Sequence, residues 1–374
     1  MDNYRFWGAM LRLMRQERSW SQGMLCKDIC TVSYLSKIEQ GKAEANEDLL
    51  RRLFERLDMP WQTDVVEEGS AICERLYDMI FSNDVEQIEQ SKEYGILRQE
   101  GIALGTYYLD YLVLRAYCLH DRTLLSDDLL PLLSARQKAL VLMLEGRTRE
   151  ALNIYPSALT AYREGMRLYK ADKYADAIEH LRYSNEMAAG NGYVRLMMRC
   201  QFYLGDCYAI LRNEASMRSH YTVARRIAQA FGEIEYVKII DYNMASFAVE
   251  NGRYEEGYRY FSNIENLSVL DAHKLAICCE KLGRRVEALA MLNSVKENAE
   301  GVQEQMCEIV RFRLKNKDYL DRQEYGKLLM DTFHNIQKTL PVGYARFHLP
   351  WVEEWCIANR QYKVIYEIMR SFPD

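Results

Sequence analysis

From residue 4 onward, apolar side chains fall at helical spacing. Phe6, Trp7, Met10, Leu11, Leu13 and Met14 recur along one face, and Arg5, Arg12, Arg15 and Arg18 are interleaved on the others, which predicts an amphipathic helix carrying cations. Ser21 offers an N-cap oxygen to a second helix over roughly residues 22–28, because a serine hydroxyl accepts from the free amides of a first turn. After a tight turn at Cys30 and Thr31, a third helix runs from Val32 to Glu39. In it Leu35 and Ile38 stand three apart, and Ser33, Tyr34 and Lys37 face away from them. Gly41 stops that helix, as a residue tolerating positive φ commonly does. Pro60 and the polar run Gln62-Thr63-Asp64 close the segment.

Beyond that point the pattern repeats. A small residue is followed seven on by Gly or Asn, then by an aromatic two further, Ala three after that and a bulky residue four later. The clear copies are Gly165, Tyr174, Ala177, Leu181; Gly205, Tyr208, Met217, Tyr221, Ala224; Ala245, Gly252, Tyr254, Gly257, Phe261; and Ala276, Gly283, Ala288, Leu292. Weaker copies start at Ala139 and Glu353. Steps of 40, 40 and 31 residues between the clear copies bracket the ~34-residue tetratricopeptide unit, two antiparallel helices whose small residues allow close approach. Residues 68–135 read as helical without a resolved phase. The fold class is therefore all-α: a helix-turn-helix domain over residues 1–62, followed over residues 63–374 by a tetratricopeptide-type right-handed α-superhelix.

Composition narrows the picture. Gly 19 and Pro 6 in 374 residues are too few for the turns of a β-sandwich or barrel. Apolar residues at 49% and charged residues at 28% argue for a large folded core and against disorder. The net charge of −5 is a sum of unlike parts: residues 1–42 hold seven cations and four anions, +3, which leaves −8 for the remainder. A local basic end rather than a global field would meet nucleic acid. The ten cysteines include no CxxC pair and no ligand-spaced histidines, so reduced thiols are expected and neither a metal site nor a disulfide framework is. No run approaches ~18 apolar residues, and the start lacks a basic stretch followed by an apolar one; a soluble cytoplasmic protein without membrane contact is expected. Phosphate-binding loops, HExxH and GxSxG are absent from the sequence, so no enzyme and no cofactor is expected.

Two short helices and a tight turn, with a hydroxyl, a phenol and a lysine on the outer face of the second, form the layout of a helix-turn-helix DNA reader. That outer face can enter a major groove, with Ser33 and Tyr34 near base edges, Lys37 near phosphate, Gln22 donating to the backbone, and Lys42 completing the DNA-facing set. Leu25, Ile29, Leu35 and Ile38 read as core, Ser36 as packing, and Glu39 as a structural partner for Arg12 or Arg15.

The string from Ser21 to Lys42, SQGMLCKDICTVSYLSKIEQGK, resembles the Cro/C1-type helix-turn-helix, in the variant of the RRNPP-type peptide-responsive transcription regulators (the Rgg, Rap, NprR, PlcR and PrgX kind). That variant commonly reads S-Q-x-x-L-x-x-x-I-C-S-x-S-Y-L-S-K-I-E-x-G. Two positions depart from it. Gly23 and Met24 replace the acidic residue after Ser-Gln, which removes a capping-box carboxylate, and Asp28 stands where Gly commonly precedes Ile-Cys. The repeat array resembles the tetratricopeptide domain of the same regulators. The resemblance implies double-stranded operator DNA and a short quorum-sensing peptide as partners, a homodimer, and transcription regulation as the function. Phasing the repeats puts Tyr162, Met166 and Tyr169, then Arg199, Phe202 and Asp206, then Tyr242, Asn243, Ser246 and Glu250, then His273, Ile277 and Glu280 on the concave wall. Of these, Arg199, Phe202, Asp206, Tyr242, Asn243, Ser246, Glu250 and His273 are the candidate peptide contacts, with inter-repeat packing as the other role open to them. The rival is a protein-interaction module, as in the Rap branch, that binds or dephosphorylates a response regulator.

Overall fold

The computed structural model describes residues 3–59, 66–83, 88, 90–93, 95, 108–120, 125 and 129–370. The boundary expected at residue 62, with Pro60 and Gln62-Thr63-Asp64, and much of 68–135 lie outside them. All regular structure among the described residues is helical. Four helices come first: α1 (Asn3–Glu17), α2 (Gln22–Cys26), α3 (Val32–Glu39) and α4 (Glu47–Arg56). Two further helices follow at Val66–Phe81 and Tyr108–Leu119.

From residue 135 the helices come in pairs joined by three-residue turns, as in Ala158–Lys170 with Tyr174–Asn191 and Val269–Lys281 with Arg285–Ser294. The turn residue lies seven beyond the first residue of each repeat copy, a small one in all but the copy starting at Glu353, and is left-handed in all six, at Gly146, Asp172, Arg212, Gly252, Gly283 and Arg360 (φ 74, 58, 58, 75, 77 and 59°). The next residue's amide then reaches back five positions, as in Lys173 to Leu168 O (3.0 Å), Asn213 to Tyr208 O (2.9 Å) and Gln361 to Cys356 O (2.7 Å). This is the Schellman closure that satisfies orphan helix carbonyls. The pattern asked for Gly or Asn, yet Asp and Arg occupy three of the turns; the closing hydrogen bonds and helix packing hold the backbone there despite the cost of a Cβ. Where the pattern called for a small residue, Gly165 lies against the partner helix: a Cβ there would stand 3.0 Å from Leu181 Cγ.

One pair escaped the repeat pattern. Gly301–Lys315 and Gln323–Thr339 are joined through residues 316–322, which carry a short 3-10 turn at Tyr319–Asp321. No left-handed glycine marks the connection, so the period is silent there.

The chain forms two compact units, Met1–Cys207 and Tyr208–Asp374. In the first, one apolar cluster runs from Phe6 and Met10 through Leu53 and Tyr77 to Leu140 and Leu159, so the amino-terminal helices share a core with the helices that follow. In the second, a cluster runs from Ala245 through Phe261, Cys278 and Val310 to Trp351 and Ile368.

Candidate nucleic-acid interface and inner-face residues

The amino-terminal turn is built by caps. Ser21 Oγ accepts from the Met24 amide (3.2 Å) and Thr31 Oγ1 from the Tyr34 amide (3.2 Å); the first cap was legible in the sequence, the second was not. Helix α2 ends at Cys26, two residues short of expectation, because Asp28 turns left-handed (φ 59°). This is the position at which the resembling pattern carries Gly, and Asp is among the few other residues that tolerate it. Two arginines of α4 secure the turn: Arg52 donates to Asp28 O (3.0 Å), and Arg56 donates to Lys27 O and to Leu25 O (3.4 Å). Their role had no signal in the linear pattern.

Beneath α3 lies a part-buried ion pair. Arg15 grips Glu39 with both nitrogens, Nε to Oε1 at 2.7 Å and Nη2 to Oε2 at 2.8 Å, and donates a third bond to Trp20 O (2.7 Å). Glu39 is 4% exposed, and its hydrogen bonds raise the Arg15 pKa above its ordinary value. Glu39 is thus a structural partner of Arg15. Gln22 joins the pair, its Nε2 donating to Glu39 Oε2 at 2.8 Å, so one amide hydrogen of this candidate DNA contact is already committed within the fold. Close packing of α1 on α3 depends on Gly8, where a Cβ would stand 2.0 Å from Ile38 O.

On the outer face of α3, Ser33, Tyr34 and Lys37 are exposed, and so is Lys42 just beyond it. The Tyr34 hydroxyl donates to Glu44 O (2.8 Å), which fixes the ring and leaves its oxygen as an acceptor. Met24 and Val32, 54% and 48% exposed, add apolar surface that the sequence reading did not select. A small hydroxyl, a phenol, a valine and a lysine on one exposed helix face can meet base edges, thymine methyls and phosphate.

The candidate peptide contacts divide between the two units. In the first, Arg199 Nη1 donates to Asn83 O (3.1 Å), Phe202 is buried against Tyr203 (centroids 5.0 Å), and Asp206 accepts from the Tyr169 hydroxyl (3.4 Å). In the second, Asn243 Nδ2 donates to the Tyr221 hydroxyl (3.1 Å), Glu250 accepts from Arg212 (2.6 Å), and Tyr242 stands edge-on to Phe261. Ser246 is buried. His273 is 1% exposed, closed over by Phe347, His348 and Trp351 of the helix Val342–Ala358, so its ring belongs to the core instead of an open wall. Burial holds its pKa well below the ordinary value. Arg199, Asp206, Asn243 and Glu250 keep partial exposure; Phe202, Ser246 and His273 do not.

Among the described residues, no helix is long and apolar enough to cross a membrane, and no group of three or more His, Cys, Asp or Glu is placed to hold a metal. All ten cysteines are free, and burial pushes thiols such as Cys73, Cys200 and Cys278 up to about 12, where little thiolate forms.

Comparison with known proteins agrees with the amino-terminal geometry: residues 11–63 match the helix-turn-helix family. Two solved structures are similar to the chain at low identity. PlcR of Bacillus thuringiensis, in complex with the peptide PapR7 and DNA, is 15% identical with a TM-score of 0.32, covering 63% of this chain and 99% of its own. NprR in complex with its cognate peptide NprX is 17% identical with a TM-score of 0.46, covering 83% of this chain and 100% of its own. No curated protein matches the chain.

Proposed function

We propose that the chain is a transcription regulator that reads operator DNA through α3 and answers to a short signalling peptide bound by its helical repeats. The observation that carries the reading is the capped α2-turn-α3 unit, locked from beneath by Arg15 and Glu39 and presenting Ser33, Tyr34 and Lys37 outward. The match of residues 11–63 to the helix-turn-helix family supports it. Residues 1–62 form the DNA-reading domain and residues 63–374 the sensing and dimerising domain. Gln22, Ser33, Tyr34, Lys37 and Lys42 contact the duplex. In the repeats, the half-exposed Arg199, Asp206, Asn243 and Glu250 contact the peptide, and Phe202, Tyr242 and Ser246 shape the wall behind them. One helix-turn-helix covers few base pairs, so a homodimer on two half-sites supplies the specificity. The protein acts in the cytoplasm.

The test is selection of binding sites from a randomised duplex library with the full chain, followed by calorimetry with short peptides encoded beside the gene, with and without the selected duplex. Enrichment of a two-fold related site whose affinity changes with peptide is expected. A chain that enriches no sequence and instead retains a response regulator belongs to the rival class. Peptide and DNA binding without mutual effect would remove the coupling, because linkage requires each ligand to shift the other equally.

A further inference from the structure

Inside the second unit, three helices bring cationic and imidazole groups together, with Glu280 and Glu354 acting on Arg313 and Glu250 on Lys274. Lys274 and His273 come from Val269–Lys281, Arg313 from Gly301–Lys315 and His348 from Val342–Ala358, and all four are at most 4% exposed. The two imidazoles stack at 5.4 Å, the Lys274 ammonium lies against the face of Phe347, and the Arg313 guanidinium lies 4.6 Å from the ring of Trp351. Glu280 accepts from Arg313 Nε at 3.0 Å. Glu250, whose charge acts on Lys274, is bonded to Arg212. Several buried polar atoms in this cluster have no partner: Arg313 Nη1, both ring nitrogens of His273, Nε2 of His348 and Oε2 of Glu280. Buried polar groups are normally paired, and a buried ammonium normally faces an anion.

We propose that this cluster is an internal anion site that takes a single carboxylate, held by Lys274, the free Nη1 of Arg313 and an N–H of His273. His348, whose Nδ1 faces Tyr344 O at 2.8 Å, keeps its Nε2 lone pair toward the cluster while neutral and turns it into a further donor on protonation. The carboxylate comes from a small free acid or from the terminus of a bound peptide. The site does not depend on the DNA reading and survives its failure. Burial lowers Lys274 from the ordinary 10.5 to about 7, against Glu250 and Cys278, which pull it upward. His273 and His348 are lowered as well, by burial first and then by the neighbouring Lys274 and Arg313. An anion favours the charged ammonium, so binding takes up a proton and is tighter at pH 6 than at pH 8.

The experiment is calorimetry and thermal melting of the full chain with sodium formate and sodium acetate, at ionic strength held constant with a bulky sulfonate buffer salt. A short peptide with a free carboxyl terminus, set against its terminal amide, tests the second source. A saturable heat and melting shift, stronger at pH 6, is expected from at least one source. The shift should weaken about tenfold or more in Lys274→Met and persist in Lys281→Met, an exposed lysine on the same helix. No saturable binding by wild type in either arm overturns the proposal without reference to any variant. Equal binding by Lys274→Met, with its helical circular dichroism intact, overturns it too.

Discussion

The two units bury charge in opposite ways. Under α3, one arginine meets one glutamate through two parallel hydrogen bonds, and Gln22 and the Trp20 carbonyl occupy the positions left over. In the second unit, Lys274 and Arg313 share the interior with Glu280, among the described residues the only carboxylate hydrogen-bonded to either, and Lys274 rests on an aromatic face. The first network is closed and fixes the register of α1, α2 and α3, which a rigid reading head needs. The second is open. A buried cation without its own anion costs stability, and such a cost is retained where a ligand or a change of state relieves it.

The largest effect should come from opening the closed network. Glu39→Ala strands the Arg15 guanidinium and should cost about 3–5 kcal/mol, read as a lower urea midpoint together with loss of duplex binding; an unchanged midpoint would show that the pair is not needed. Gly8→Ala sharpens the same point without touching a charge. Its Cβ must displace the Ile38 carbonyl, for an expected cost of roughly 1–3 kcal/mol and a loss of operator affinity that a surface alanine elsewhere on α1 does not cause.

The open network should respond with the opposite sign. Lys274→Met, which fills similar volume without charge, should stabilise the protein by about 1–4 kcal/mol in the absence of added anion. With its pKa lowered from 10.5 to about 7, Lys274 is neutral in the folded chain but protonated in the unfolded chain between those values. Wild-type stability therefore rises with pH across that window. Below about pH 7 the destabilisation is fully present, so the difference between variant and wild type should be largest there and shrink toward pH 10. A constant difference across the range would place the ammonium in ordinary solvent. The smallest effect is expected from Lys37→Ala, which should weaken selected and random duplexes by similar factors and reduce the salt slope of binding by about 1; a loss confined to the selected sequence would make Lys37 a base reader.

Much of the reading head was legible in the chain. Helix α3 has the bounds Val32–Glu39 that its spacing predicts, Gly41 ends it with φ 65°, and Glu39 pairs with Arg15. The first residue of each repeat copy located every left-handed pair turn named above, even where the turn residue is Asp172, Arg212 or Arg360. These features are decided within a few residues of chain by caps, periodicity and helix closure. The pair spanning 301–339 was missed because its connection uses a 3-10 turn instead of that closure. Gln22 was read as a donor to the DNA backbone and Asp28 as a departure from the resembling pattern's Gly, and nothing in the linear pattern signalled that one would be drawn toward Glu39 or that Arg52 would anchor the other.

By itself, then, the sequence determined that the chain is helical, where α3 starts and stops, where the marked pair turns fall, and which face of α3 is polar, because each of these is a local free-energy balance along the backbone. Tertiary structure alone decided which charges are stranded. His273 meets His348 across three intervening α-helices, and Gln22 reaches Glu39 across the turn. The energy of a buried charge depends on the dielectric and partners that packing places around it, and no spacing rule along the chain carries that information.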